Sequence, residues 1–246
     1  MLLTTTKYIL MHFKNNKYKE IEKDLLKALK DYGDDRVGDT IELMNVSFTL
    51  NNNGAFNNRR SNYKYAKEFF KWIKSGDTDL TDKLKKMNPH AQKFVDTTNL
   101  PENFSSSYGW KIKKQLPDII DELKRNPNTR RAYLSILLEN DKVILGKQTT
   151  HEFPCTIGIQ FLLRNCETEL CIIVNMRSNN VWNVLPYDVY NFTQLQDYIA
   201  TKLGVRSGEY MHTVNSLHIY KRDLKDINRY LEQEHNESLK EYNKNK

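Results

Sequence analysis

Four nearly continuous apolar runs crowd the second half of this chain: AYLSILL at 132–138, TIGIQFLL at 156–163, ELCIIVNM at 169–176 and VNSLHIY at 214–220. Each reads as a strand, and runs of this kind lack the polar alternation of a strand with one wet face. They predict strands buried on both faces or covered at a subunit contact. The fold must therefore supply a large sheet and enough helix to cover it.

Helical patterns supply the cover. Tyr18, Ile21, Leu25, Ala28 and Leu29 recur at helical spacing, with Gly33 placed to end that helix. Residues 40–50 (TIELMNVSFTL) read as a further strand, closed by the loop-forming run 51–54. A second helix is expected over 62–74, with Tyr65, Ala66, Phe69, Phe70 and Ile73 along one side. Residues 76–107 read as irregular with short helical stretches. Helices follow over 116–125 and 191–203, the latter ended by Gly204, and the charged segment after Arg222 reads as a helix that frays past residue 235. No repeat, linker or break in composition divides the 246 residues. The expectation is one α+β domain over 1–246, with a helical N-terminal segment (1–35) and a charged tail (223–246).

No stretch approaches the roughly 20 apolar residues needed to cross a bilayer, and the N-terminus lacks the pattern of a signal peptide. A cytoplasmic protein is expected, in the host cytoplasm if the chain is viral. Cys155, Cys166 and Cys171 are too few for a disulfide framework and lack the paired spacing of a zinc site, so they read as thiols, with no metal expected. The formal net charge of +7 suggests nucleic acid, a phosphorylated small molecule or a lysine-rich surface. With 27 lysines to 11 arginines, most of the excess fits the surface.

Several residues stand out against that background. Cys155 follows Pro154 where a strand begins, as a buried small hydrophobe or as a nucleophile with positive charge nearby. The pair Arg130 and Arg131, and Arg177 with Ser178 at a strand end, suit a phosphate or plain solvent. Asp188 interrupts the apolar run VLPYDVYNF, either as the N-cap of the next helix or as a carboxylate that must pair or bind something. His218 and Tyr220 face one way along a strand, as satisfied core polars or as partners for a sugar. Glu68, on an amphipathic helix, reads by default as solvated.

The order of the segments adds more. RVGDT at 36–40, GDTD at 76–79, SYGW at 107–110, NPNTRR at 126–131, PCTIGIQF at 154–161, NMRSNN at 175–180, LPYD at 185–188 and SLHIY at 216–220 together resemble the thymidylate synthase family over about residues 36–222. NPNTRR, NMRSN and SLHIY look closest to the bacteriophage deoxycytidylate hydroxymethylases within it. The resemblance implies a large mixed β-sheet flanked by helices and packed at a homodimer interface. It implies transfer of a one-carbon unit from 5,10-methylenetetrahydrofolate, a cosubstrate, to C5 of a pyrimidine deoxynucleoside monophosphate, with a nucleotide-synthesis complex as a further expected partner.

Carried over residue by residue, the resemblance makes Cys155 the nucleophile that adds to C6. Arg36, Arg177 and Ser178 would hold the 5′-phosphate, with Arg130 and Arg131 reaching across from a second subunit. His218 and Tyr220 would bind the 3′-hydroxyl, and Gln160 would shape the nucleotide site. Glu68 and Tyr108 would serve proton transfer and ordered water, and Phe94 would lie against the folate. Asp188 stands where thymidylate synthases carry asparagine; a carboxylate accepts from the 4-amino group of cytosine, which argues for dCMP. Asn180 replaces an aspartate that bonds folate and the base side, and an amide keeps hydrogen bonds but not charge. Thr156, following Cys155, agrees with the hydroxymethylase branch, and the final NKNK does not resemble the apolar tail that closes over folate in the synthases. The implied reaction makes 5-hydroxymethyl-dCMP by water addition. The alternatives are a dUMP hydroxymethylase, a thymidylate synthase, or a nucleotide- or RNA-binding protein on the same fold.

Overall fold

The computed structural model describes residues 11–51, 61–95, 107–144 and 153–244, with the backbone alone for 93–94, 143–144 and 238–244. Six strands form one mixed sheet: β1 (Met11–Asn15), β2 (Thr40–Leu50), β3 (Tyr133–Ser135), β4 (Thr156–Arg164), β5 (Glu169–Asn180) and β6 (Arg206–Tyr220), in the order β1-β2-β6-β5-β4-β3. β1 pairs with β2 and β5 with β6 in parallel; the other neighbours are antiparallel. The helices are α1 (Tyr18–Tyr32), α2 (Tyr63–Ser75), α3 (Asp82–Met87), α4 (Tyr108–Arg125), α5 (Leu185–Leu203) and α6 (Leu224–Lys244). The predicted α+β architecture is present. No helix among the described residues is long and apolar enough to cross a membrane.

Local sequence explains most boundaries. The stripe Tyr18, Ile21, Leu25, Leu26 and Leu29 of α1 is wholly buried. Asn62 caps α2 by accepting from the Tyr65 N–H at 3.0 Å, and Gly76 ends it in the left-handed conformation (φ 72°). α4 begins at Tyr108, eight residues before the predicted start at Leu116. Ser107 caps it, and the helix runs through Pro117. Gly109 permits this start, because a Cβ there would lie 2.3 Å from the carbonyl oxygen of Ile73 on α2.

Other boundaries differ from prediction. β3 is three residues long instead of seven: beyond it the N–H groups of Ile136 and Leu137 both donate to the Ile157 carbonyl, so regular pairing stops. β6 begins at Arg206 rather than at 214, because its first half alternates buried Gly208, Tyr210 and His212 with half-buried neighbours. α5 begins at Leu185, six residues before the predicted 191. Its N-cap position is Val184, so Asp188 lies inside the first turn and does not cap the helix.

The strands are not buried on both faces within one chain. Helices cover one side, where Ile159, Phe161, Ile172, Val174, Tyr210 and Val214 are buried. On the other side Gln160, Leu162, Ile173, Asn175, Met211 and Thr213 remain half-buried.

A buried ion pair ties α4 to the segment Glu139–Ile144. Lys111 Nζ donates to both Asp141 oxygens at 2.7 and 2.8 Å, and the Leu138 N–H donates to the same carboxylate at 2.6 Å. Burial pushes the Lys111 pKa down, and pairing with Asp141 offsets part of the shift. Asp141→Ala strands a buried ammonium and is expected to cost about 3–5 kcal/mol in urea unfolding. A double change, Lys111→Met with Asp141→Leu, is expected to recover most of that loss.

Candidate active site

The segment entering β4 and the turn after β5 meet the start of α5 beneath α2 and α4, and a cavity of about 280 Å³ opens there. Cys155, in the bend before β4, lines it together with Tyr108 from α4 and Asp188 from α5. These three residues, 80 positions apart in the chain at the extremes, were singled out from sequence and come together in one cavity. Tyr65, Phe69 and Trp72 of α2, Phe153, and Tyr187 and Phe192 of α5 make most of the remaining wall aromatic.

The segment carrying Cys155 is held by Arg177. Its backbone N–H donates to the Cys155 carbonyl at 2.8 Å, its Nε to the Pro154 carbonyl at 2.9 Å and one Nη to the Phe153 carbonyl at 2.8 Å. The same Nη lies 3.7 Å from Cys155 Sγ. A fixed guanidinium at that range favours the thiolate over the thiol. The adjacent Thr156 N–H donates to Tyr108 Oη at 3.1 Å. Burial, then the nearby Cys155 and Asp188, push the Tyr108 phenol well above its ordinary pKa, so it works as a hydrogen-bonding group rather than a phenolate.

Asp188 accepts from Asn179 Nδ2 at 3.0 Å. Burial raises its pKa from the ordinary 3.8 to about 7, with the Asn179 amide pulling the other way. A carboxyl poised near neutrality beside a thiol and a phenol can give or take a proton at working pH.

Glu68 is not part of this cavity. Its carboxylate pairs with Lys71 at 2.9 Å and Lys83 at 3.0 Å, and these contacts hold its pKa below the usual range. The side of α2 that faces the cavity carries Tyr65, Phe69, Trp72 and Ile73. These positions advance by four, three and one residues, which puts Phe69, not Glu68, on the facing stripe. The proton-transfer role expected of Glu68 thus has no geometric support.

The other predicted residues lie around rather than inside the cavity. Ser178 Oγ and His218 Nδ1 are 3.3 Å apart on β5 and β6, and the Tyr220 ring meets His218 edge-on at 5.6 Å. Burial is the main reason the His218 pKa is lowered. Asn180 is buried, and its Oδ1 accepts from the Asn183 N–H at 2.8 Å, which shapes the turn into α5. Arg36 is exposed and paired with Asp34 through two bonds of 2.8 and 2.7 Å. Arg130 and Arg131 are exposed beside β3. Gln160 lies on the half-open sheet face and donates to the carbonyls of Arg130 and Ala132 at 3.3 and 3.0 Å, away from the cavity lining. Phe94 ends the short 3-10 segment Pro89–Phe94, and its side chain lies outside the described residues.

Sequence reasoning did not single out Asn179, Asn191, Trp72 or Tyr187. Asn191 had a legible signal: it is polar, three residues after Asp188 and set between Tyr190 and Phe192.

A family model described as thymidylate synthase matches residues 16–245. A deoxyuridylate hydroxymethyltransferase of Delftia phage PhiW-14 is 28% identical over 223 residues, covering 85% of this chain and 61% of the relative. A thymidylate synthase of Bacillus licheniformis is 30% identical over 146 residues, 55% of this chain and 50% of its own. A deoxyuridylate hydroxymethyltransferase of Pseudomonas phage M6 is 30% identical over 130 residues, 50% of this chain and 36% of its own. The matched stretches thus span between about a third and three-fifths of these relatives.

Proposed function

The chain belongs to the thymidylate synthase family, and from that premise we propose that it forms 5-hydroxymethyl-dCMP from dCMP, with 5,10-methylenetetrahydrofolate as one-carbon donor and water as the source of the new hydroxyl. The observation that carries this is the Asp188 carboxyl in the same cavity as Cys155.

Carbon 5 of a pyrimidine is a weak nucleophile until a thiolate adds at C6 and pushes electron density toward C5 and N3. Cys155 supplies the thiolate beside Arg177. Asp188 in its acid form donates to N3 while its carbonyl oxygen accepts from the 4-amino group. As sulfur adds, the proton moves to N3, so the ring stays neutral and the new carboxylate accepts from both N3–H and the 4-amino group. Tyr108, held by the Thr156 N–H, keeps a polar contact beside the reacting carbons. The aromatic lining from Phe69, Trp72, Phe153 and Tyr187 suits the flat ring of the donor, which when bound supplies an electrophilic methylene.

Ser178, His218 and Tyr220 offer hydroxyl and ring donors for the sugar, and Arg36, on its exposed loop, would turn its planar fork from Asp34 to the phosphate. The half-open sheet face is where a second copy would pack, bringing its Arg130 and Arg131 to complete the phosphate site.

The relatives named for deoxyuridylate favour a second assignment, dUMP hydroxymethylation. Incubation with either nucleotide, the folate donor and ¹⁸O-labelled water separates the two. Hydroxymethyl-dCMP carrying the label is the expected product. Turnover of dUMP alone, or a product without label, would overturn the dCMP assignment.

A further inference from the structure

The hydroxyl of the product must come from a water that is held against the reacting carbon, and α2 offers no carboxylate to take its proton. Its cavity face is Tyr65, Phe69, Trp72 and Ile73, and Glu68 is taken up by Lys71 and Lys83. Among the described residues lining the cavity, Asp188 is the one carboxylate. One turn further along α5, Asn191 also lines the cavity. It is 4% exposed, and its Oδ1 accepts no hydrogen bond. A buried amide oxygen without a donor is destabilising, and on a residue that lines a cavity it is a candidate to take its missing bond from a water or ligand bound there.

We propose that Asn191 and Asp188 together hold the reacting water, Asn191 Oδ1 accepting one O–H and the Asp188 carboxylate the other. This rests on the hydroxymethylase assignment and adds the residue that delivers its water. After the donor has left, the nucleotide carries an exocyclic methylene at C5 and remains bonded through C6 to Cys155. The water oxygen forms a bond to the methylene carbon, and the methylene π pair shifts to re-form C5=C6. The C6–S bond breaks with its electron pair going to sulfur, which restores the thiolate. The O–H proton passes to Asp188, and the proton that Asp188 gave to N3 during C6 addition leaves to solvent as the cytosine ring re-forms. Asn191 is the positioning partner in this step and Asp188 the base.

The proposal separates two events that a single turnover rate merges. Release of tritium from C5 of labelled dCMP reports formation of the new carbon bond; hydroxymethyl product reports water addition. Wild type is expected to give one product per tritium released. Asn191→Leu is expected to keep releasing tritium while product falls at least about tenfold. Added 2-mercaptoethanol should then capture the exocyclic methylene as a thioether. Asn191→Ser, which keeps an acceptor and is gentler on packing, should recover product if thermal melting shows the leucine variant misfolded. Glu68→Gln should leave the ratio at one.

A ratio of one in Asn191→Leu with turnover within about twofold of wild type would overturn the proposal, as would loss of product in Glu68→Gln with tritium release intact. If wild type acts on dUMP alone, the dCMP assignment fails while the same ratio measured with labelled dUMP still decides Asn191. A crystal of the nucleotide complex gives an independent check: ordered water within about 3.2 Å of Asn191 Oδ1 supports the site, and a dry Oδ1 sinks it.

Discussion

Cys155→Ser is expected to bind dCMP with near-normal affinity and to lower turnover by on the order of 10⁴-fold. The serine hydroxyl is isosteric but stays protonated at neutral pH, and Arg177 cannot ionise it as it favours a thiolate at 3.7 Å. Without addition at C6, carbon 5 never gains the electron density that every later step uses. The check is twofold: steady-state turnover, and mass spectrometry of the denatured complex. Wild type treated with a 5-fluoro pyrimidine nucleotide and the folate donor should gain the mass of an adduct; the variant should not. Retention of more than a few per cent of turnover in Cys155→Ser would remove the nucleophile from the mechanism.

Asp188→Asn is expected to lower dCMP turnover about 10²–10³-fold and to move preference toward dUMP. An amide can donate to O4 and accept from the N3–H of uracil, whereas it has no proton to give to N3 of cytosine. The pH profile carries the same information. With the Asp188 pKa at about 7, the acid form that protonates N3 declines as pH rises through neutrality, so dCMP kcat/KM should fall above pH 7. Binding of dUMP should suffer more, because the ionised carboxylate then faces O4 lone pairs, and selectivity for dCMP should widen. Stability moves with the same titration. The folded pKa lies above the ordinary 3.8, so the fold gains from protonation at low pH and loses that gain as pH rises toward and through 7. Asp188→Asn removes this loss, and its melting temperature relative to wild type should be more favourable at pH 8 than at pH 5. An unchanged nucleotide preference together with a flat pH profile would show that Asp188 has no part in base recognition.

The residues that were legible in the sequence are those whose role is set by local pattern. α1, α2, β2 and β4 follow from apolar patterns that extend over the whole element, the end of α1 from Gly33 and that of β2 from the loop-forming run 51–54. β6 is half missed because RSGEYMHT carries its buried residues at alternate positions, and the buried ones include a tyrosine and a histidine. The start of α4 is missed because only its packing against Ile73 makes Gly109 favourable within a helix. For the site, Cys155 and Asp188 carry chemistry unusual for their surroundings, Tyr108 is named by the family resemblance alone, and all three line one cavity. Glu68 fails on helical phase. The apolar stripe Tyr65, Phe69, Ile73 leaves it at the border, within reach of Lys71 at i+3 and of Lys83 from α3, and that second lysine is a tertiary contact no local pattern reveals.

The strand order has a consequence for how the chain is made. β2, residues 40–50, finds its antiparallel partner only in β6, where Leu50 lies opposite Tyr210 and Thr40 opposite Tyr220. At ribosomal rates of about 5–20 residues per second, β2 waits on the order of 10–30 s with one edge unpaired before that partner is synthesised. The nascent N-terminal third, with β1 on its other edge and α1 over its face, is therefore the stretch most exposed to chaperones and to pairing with neighbouring chains on a polysome. Any truncation that removes β6 would leave that edge open for good.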